Sequence, residues 1–203
     1  MEKLLLKSPR FYRFLIGFRK NTNADKFVFS HYIKRGDTVI DCGANIGYYT
    51  NFFRAIVGGK GCVHAFEPVP STFECLTKNA LEYSNCNNYR LNKAGLYKKE
   101  SKRNIYIPDS ISGHASLYKH KDAWNAQKID GREIKLIQLD DYVEKNGINK
   151  IDFMKIDVEG SEIDAIHGST LTLQKNKPKL HIEVNSELLK NSQHSVQELW
   201  ELL

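Results

Sequence analysis

Acidic residues that close short apolar runs are the groups of this 203-residue chain best placed to do chemistry. Asp41 ends the β-branched run Thr38-Val39-Ile40, and the turn Gly43-Ala44-Asn45-Ile46-Gly47 follows, before a helix-compatible stretch opening with Tyr48, Tyr49 and Thr50. Glu67 ends a second run, Gly61 to Phe66, and precedes Pro68. Asp157 and Glu159 follow Phe153 to Ile156, and His181, Glu183 and Asn185 belong to a further run from Leu180. Glycine has no Cβ, so the backbone at the turn can approach a ligand closely. Ligands of open parallel sheets bind at the carboxyl ends of strands. An acid closing the second strand can accept both hydroxyls of a ribose, and the pattern therefore predicts a nucleoside-containing cofactor.

The turn narrows the choice. A dinucleotide site wants Gly-x-Gly-x-x-Gly, with amides at a helix N-terminus facing a pyrophosphate. Here no third glycine keeps that spacing, and no Gly-x-x-x-x-Gly-Lys-Ser/Thr occurs for ATP or GTP. Asp41 instead suits a cofactor that presents a cationic amine, which points to S-adenosylmethionine.

The elements that would position these residues alternate between strand and helix, which argues a parallel sheet with helices on both faces. The spacing predicts strands at Thr38 to Asp41, Cys62 to Phe66, Tyr89 to Asn92, Phe153 to Ile156 and Leu180 to Val184. Helices are expected over Gly47 to Val57, from Ser71 to Tyr83 with Ser71 and Glu74 as a capping box, and after Gly160. If extension persists beyond Ile156, Asp157 and Glu159 share one side of the strand. Nearly sixty residues separate the third and fourth strands, too many for one crossover helix. Asn104 to Ile107, Ser112 to Leu117 and Glu133 to Gln138 are β-rich enough for short strands in this insertion, at about 95–140, where substrate residues would sit. Lys119, His120 and Trp124 are further acceptor-side candidates there. Residues 1–35 form an N-terminal arm of one or two amphipathic helices, with Leu4, Leu5, Leu6, Phe11, Phe14, Leu15 and Phe18 among basic residues. It either packs on the domain at 36–203, lids the cofactor or lies on an acidic membrane surface. A final helix is expected over Asn191 to Leu203.

Four blocks of this chain resemble the FkbM-type methyltransferases, a branch of the class I S-adenosylmethionine-dependent enzymes. They are DCGANIGYYT (Asp41 to Thr50), VHAFEPVPSTFECLTKN (Val63 to Asn79), LNKAGLY (Leu91 to Tyr97) and KIDVEGSEIDAIHGS (Lys155 to Ser169). The resemblance implies an α/β, Rossmann-like fold with a mostly parallel sheet, order 3-2-1-4-5, flanked by helices. It also implies methyl transfer to an oxygen, commonly a sugar or small natural-product hydroxyl. Asp41, Gly43, Ala44, Asn45 and Gly47 would serve the methionine and ribose region, Glu67 with Pro68 the ribose hydroxyls, and Asn92 and Ala94 the adenine. Tyr48, Tyr49 and Thr50 would close over the methionyl end. Ser112 to Leu117 resembles a family stretch facing the active site, which makes His114 and Ser116 candidates against the alternative of a surface loop. The family's C-terminal antiparallel hairpin has no counterpart after the fifth strand. Either that strand is an edge needing cover, from the C-terminal helix, a second copy or another partner, or the sequence is a truncated form of a longer chain.

Methyl transfer needs in-line alignment of acceptor oxygen, methyl and sulfur, and a base within reach of the acceptor hydroxyl. Asp157 is the first choice for a catalytic or cofactor-proximal role and Glu159 the second. Glu183 is an acceptor-side group, Glu162 a favourable charge at a helix N-terminus, and His181 a core histidine. Asp157, Glu159 and Glu183 are hard oxygen donors, yet no compact metal motif occurs and no metal is expected. Cys42, Cys62, Cys75 and Cys86 lack zinc or disulfide spacing, agreeing with a reducing cytoplasm. No apolar run approaches the roughly 20 residues of a transmembrane helix. The net charge of +6 is spread along the chain, so nucleic acid is a weaker expectation than a small-molecule or glycan acceptor. An RNA methyltransferase and a non-catalytic binding module on the same fold are the competing readings.

Overall fold

A computed structural model of the chain describes residues 20–81, 87–109, 112–119 and 128–203. The first elements in chain order are α1 (Lys20–Tyr32), β1 (Thr38–Cys42), α2 (Tyr48–Val57), β2 (Cys62–Phe66), α3 (Pro70–Leu81) and β3 (Tyr89–Asn92). β4 (Gly95–Leu96), β5 (Ser101–Pro108), β6 (Ile129–Ile137) and α4 (Leu139–Lys145) follow. The chain continues through β7 (Phe153–Ile156), α5 (Glu162–His167), α6 (Thr170–Asn176), β8 (Lys179–Ile182), α7 (Ser186–Asn191) and α8 (Val196–Leu202).

Five strands form one sheet in the order β3-β2-β1-β7-β8, all pairs parallel. This is the expected 3-2-1-4-5 order. Side chains of a strand alternate between faces, and both faces here are covered. Val39, Val63 and Phe153 pack on one side with Phe29 and Ile33 from α1 and its end and with Phe53 and Val57 of α2. Ile40, Met154 and Ile156 belong to the opposite cluster with Leu139, Ile163, Leu189 and Leu199. The N-terminal arm thus contributes Phe29 and Ile33 to the core while Phe27, Val28 and Tyr32 are exposed, and its leucines and phenylalanines up to Phe18 lie outside the described residues.

The insertion builds a second sheet, β4-β6-β5, with β5 and β6 antiparallel and β4 and β6 parallel. Its apolar face (Ile105, Ile107, Ile134, Leu136) packs with Val69, Tyr97 and Leu117, beside the carboxyl ends of β1 and β2.

Several boundaries differ from the sequence expectation. α3 begins at Pro70, where a missing N–H costs nothing in a first helical turn, so Ser71 is inside the helix and the capping box does not form there; Phe73 N donates to Val69 O at 2.8 Å. Residues 112–114 form a 3-10 turn, and Ser116 makes a single antiparallel bridge with Tyr106 in place of a strand. β8 stops at Ile182, short of Val184. The helix expected over Asn191 to Leu203 is the shorter α8, and an additional helix, α7, precedes it; each is started by a side-chain cap, Asn185 for α7 and Ser195 for α8. Among the described residues no strand lies beyond β8, and Leu188, Leu189 and Leu199 of α7 and α8 are buried. Among the described residues no helix is long and apolar enough to cross a membrane.

Candidate active site

The glycine turn brings β1 against the end of β7. Gly43 has φ +79°, and a Cβ placed on it would lie 1.8 Å from Asp157 O. No other residue type fits without separating the two strand ends. The turn amides are all used internally: Gly43 N and Ala44 N donate to Phe66 O, Gly47 N to Ala44 O, Asn45 N to Glu67 Oε2 and Ile46 N to Asn45 Oδ1. The turn therefore has no amide to offer a phosphate, in keeping with the absence of a phosphate-binding motif.

A cleft open to solvent lies beyond this turn. Gly43, Asn45, Glu67, Pro68, Asp157 and Glu159 form its polar side, and Leu96, Ile105, Leu117, Ile134 and Leu136 of the insertion form its apolar side. Glu67 is fastened by Asn45 N on one oxygen and Val69 N on the other, both at 2.9 Å. Burial pushes its carboxyl up to about 7, against the pull of those two bonds.

The end of β7 gathers the remaining charge. Lys155 Nζ lies 2.8 Å from Asp157 Oδ2 and 3.9 Å from Asp41 Oδ1. Burial works against ionisation of Asp157, but the Lys155 charge and hydrogen bond prevail and hold it below the usual carboxylate range. Extension does not persist beyond Ile156: Glu159 has φ 51° and Gly160 φ 95°, so the chain reverses there and Glu159 reaches the cleft through the turn instead of through strand alternation. Burial, then the negative charges of Asp157, Glu183 and Glu162, push Glu159 up to about 8. The charge of Asp157, burial and a shared hydrogen bond push Glu183 up to about 7.

Other candidate residues stand off the cleft wall. Asp41 is fully buried and accepts from Thr50 Oγ1 at 2.6 Å. Ala44 and Ala94 are buried, and Gly47 packs on Leu76. Tyr48 lies under Lys26 Nζ, 4.9 Å from its ring centre, and Tyr49 donates to Asp25 at 2.7 Å. Asn92 donates to the carbonyls of Ala65 and Arg90. His114 is exposed, although its neighbours Gly113 and Ala115 line the cleft. Glu183 is exposed beyond β8, and its link to the site runs through Asp157. His181 packs edge-on against Phe29, with ring centres 4.8 Å apart, as a core histidine would. Among the described residues no group of three or more potential ligands is arranged to hold a metal. His120, Trp124 and Cys86 lie outside the described residues.

Lys155 and Ser161 are the polar residues that the sequence reading did not single out. A lysine flanked by Met154 and Ile156 in an apolar run was the available signal for the first; Ser161, a buried cleft-lining residue, had none. The insertion is clamped to this region by Ser116, whose hydroxyl donates to Glu159 O at 2.5 Å, and by Tyr118, which donates to Asp164 at 2.6 Å. Ser116→Ala is expected to destabilise the fold by about 1 kcal/mol, lowering Tm by roughly 2–4 °C for a chain of this size. Thermal unfolding checks this, and an unchanged Tm would show that the clamp carries no stability.

Residues 41–203 match the methyltransferase FkbM domain. The chain is 30% identical over 160 residues to 31-O-demethyl-FK506 methyltransferase FkbM of Streptomyces tacrolimicus, covering 67% of this chain and 60% of that protein. It is 31% identical over 147 residues to hexuronic acid methyltransferase AglP of Haloferax volcanii, covering 68% and 52%. The chain thus spans little more than half the length of these curated relatives. In fold it is similar to the crystal structure of methyltransferase FkbM from Methylobacillus flagellatus KT (TM-score 0.53, 21% identity, 77% of this chain and 36% of that one). It is also similar to SMU.1697c from Streptococcus mutans in complex with SAH (TM-score 0.52, 14% identity, 91% and 82%). With the domain match running from the acid of the glycine turn to the last residue, the chain belongs to the FkbM methyltransferase family.

Proposed function

We propose that the protein is an S-adenosylmethionine-dependent O-methyltransferase acting on a hydroxyl of a sugar or small natural product. Three carboxyl groups line the cleft (Glu67, Asp157 and Glu159), of which Asp157 is held ionised, and its described lining residues include no lysine, arginine or histidine; this acidic lining without a cation carries the proposal. It suits a cationic donor and opposes a phosphate backbone, which is bound by neutralising cations. The relatives named as methyltransferases of 31-O-demethyl-FK506 and of hexuronic acid support a small hydroxyl acceptor.

When bound, S-adenosylmethionine supplies a methyl group activated by a sulfonium. Glu67, beside Pro68, is assigned to the ribose hydroxyls, and the Gly43 and Asn45 turn to the methionyl portion. Asp157 faces the cationic portion. Glu159 takes the acceptor's proton, since its raised proton affinity brings it near neutral pH, where a general base is most effective. The apolar wall of the insertion excludes water from the acceptor. The free cysteines Cys42, Cys62 and Cys75 suit a reducing compartment, and the proposed location is the cytoplasm.

Thermal unfolding with S-adenosylmethionine or S-adenosylhomocysteine tests the cofactor. A ligand at 100 times its Kd adds about 2.7 kcal/mol to the native state, an upward Tm shift of roughly 5–10 °C for a chain of this size. Glu67→Gln, compared with its own ligand-free form, is expected to lose most of that shift. A folded wild-type protein with no shift would favour a binding module that keeps the fold without the cofactor.

A further inference from the structure

Lys155 sits in the middle of β7 between fully buried apolar neighbours, its side chain 3% exposed. In the parallel pairing it stands directly opposite Asp41 of β1. Its ammonium bridges Asp157 at 2.8 Å and Asp41 at 3.9 Å and lies 5.4 Å from the centre of the Tyr49 ring. Asp41 Oδ2 is taken by Thr50, and Asp41 Oδ1 has no hydrogen bond.

A charge buried in a sheet is poorly explained by stability, because replacing a buried ion pair with apolar residues is often neutral or stabilising. Nor does Lys155 serve as a base: burial favours the neutral amine, but the charges of Asp157 and Asp41 override it and keep the lysine protonated. Of the two carboxylates that the ammonium reaches, Asp157 lines the cleft. Asp157 is about one-quarter exposed, whereas Asp41 is sealed behind the turn.

We propose that Lys155 is a positioning residue for cofactor binding: it holds the Asp157 carboxylate at the cleft wall, and Asp41 acts on the bound cofactor only through Lys155. The inference rests on reading the cleft as the S-adenosylmethionine site. It also gives Asp41, which lies one residue before the end of β1 and does not line the cleft, a physical route to the ligand.

The test uses S-adenosylhomocysteine titrated calorimetrically into the wild type, Lys155→Met and the charge-balanced pair Asp41→Asn/Lys155→Met, with Tm recorded for each. Lys155→Met leaves two buried carboxylates without their cation and is expected to lower both Tm and affinity. The pair is expected to recover most of the Tm yet bind at least tenfold more weakly than the wild type, a separation that a merely structural lysine would not produce. Asp41→Asn alone, which keeps the side chain's shape, is the second variant, and it is expected to weaken binding from a position off the cleft. Wild-type affinity in a stable Asp41→Asn/Lys155→Met protein, or in Asp41→Asn, overturns the inference while leaving the cofactor site intact. A wild type that does not bind S-adenosylhomocysteine overturns the cofactor reading beneath it.

Discussion

Glu159→Gln is expected to lower methyl transfer by about 10²–10⁴-fold, the usual contribution of a positioned general base, with affinity for S-adenosylhomocysteine nearly unchanged. Glutamine keeps the size of the side chain and leaves the backbone φ of 51° and the Ser116 bond to Glu159 O in place. It removes only the capacity to take a proton. The wild-type rate is expected to rise with pH and level off above about 8, because Glu159 must be ionised to accept the acceptor's proton and its carboxyl is pushed up to about 8. The variant loses that limb. Stability runs the other way. Between the ordinary value of 4.5 and about 8 the native state holds a proton that the unfolded chain has released, so this group's contribution falls as pH rises through the window. Initial rates with radiolabelled S-adenosylmethionine and a hydroxyl acceptor, from pH 6 to 9.5, check the first part. A variant with the wild-type rate would remove Glu159 from the base position and return that role to Asp157 or Glu183.

Gly43→Ala is expected to lower Tm by about 5–15 °C and to abolish binding of S-adenosylhomocysteine. The added Cβ would lie 1.8 Å from Asp157 O and 2.9 Å from its carbonyl carbon, at φ +79°. Overpacking costs about 1–3 kcal/mol, left-handed backbone adds roughly 1–2 kcal/mol, and each kcal/mol moves Tm by about 2–4 °C at this chain length. Relief requires β1 and β7 to part where Asp157 N donates to Cys42 O at 3.1 Å, which displaces the cleft carboxylate as well. Gly59→Ala is the matched control, since a Cβ there meets nothing within 4 Å, and it should leave Tm and binding nearly unchanged. A Gly43→Ala protein as stable as this control would contradict the packing described at the turn.

Much of the sheet was legible in the sequence because strands buried on both faces must be short, continuous apolar runs. Thr38, Cys62 and Phe153 begin strands where those runs begin, whereas the edge strand from Tyr89 is only partly buried and includes Arg90 and Asn92. The insertion was legible in part. β5 and β6 contain the segments Asn104 to Ile107 and, over most of its length, Glu133 to Gln138, but Ser112 to Leu117 makes a turn and one bridge. That last segment holds a glycine and no β-branched or aromatic residue, a composition that disfavours a strand.

The succession of strands and helices along the chain, the glycine turn between β1 and α2 and the acids at the strand ends were determined by the sequence itself, through hydrophobic runs and conformational requirements that act over a few residues, whereas the order of the strands in the sheet was implied by the family resemblance. Only the tertiary structure decided which acids face the cleft. Asp41 comes just before the end of β1 and Glu67 just after the end of β2, yet the register of β1 against β7 sets Asp41 opposite Lys155 and beside Thr50, away from the cleft. Glu159 comes to the cleft through one positive φ and a hydroxyl from the insertion, and the apolar wall belongs to strands far from the turn in the chain. Those placements depend on contacts between distant segments, so their energies are not written in any one stretch of residues.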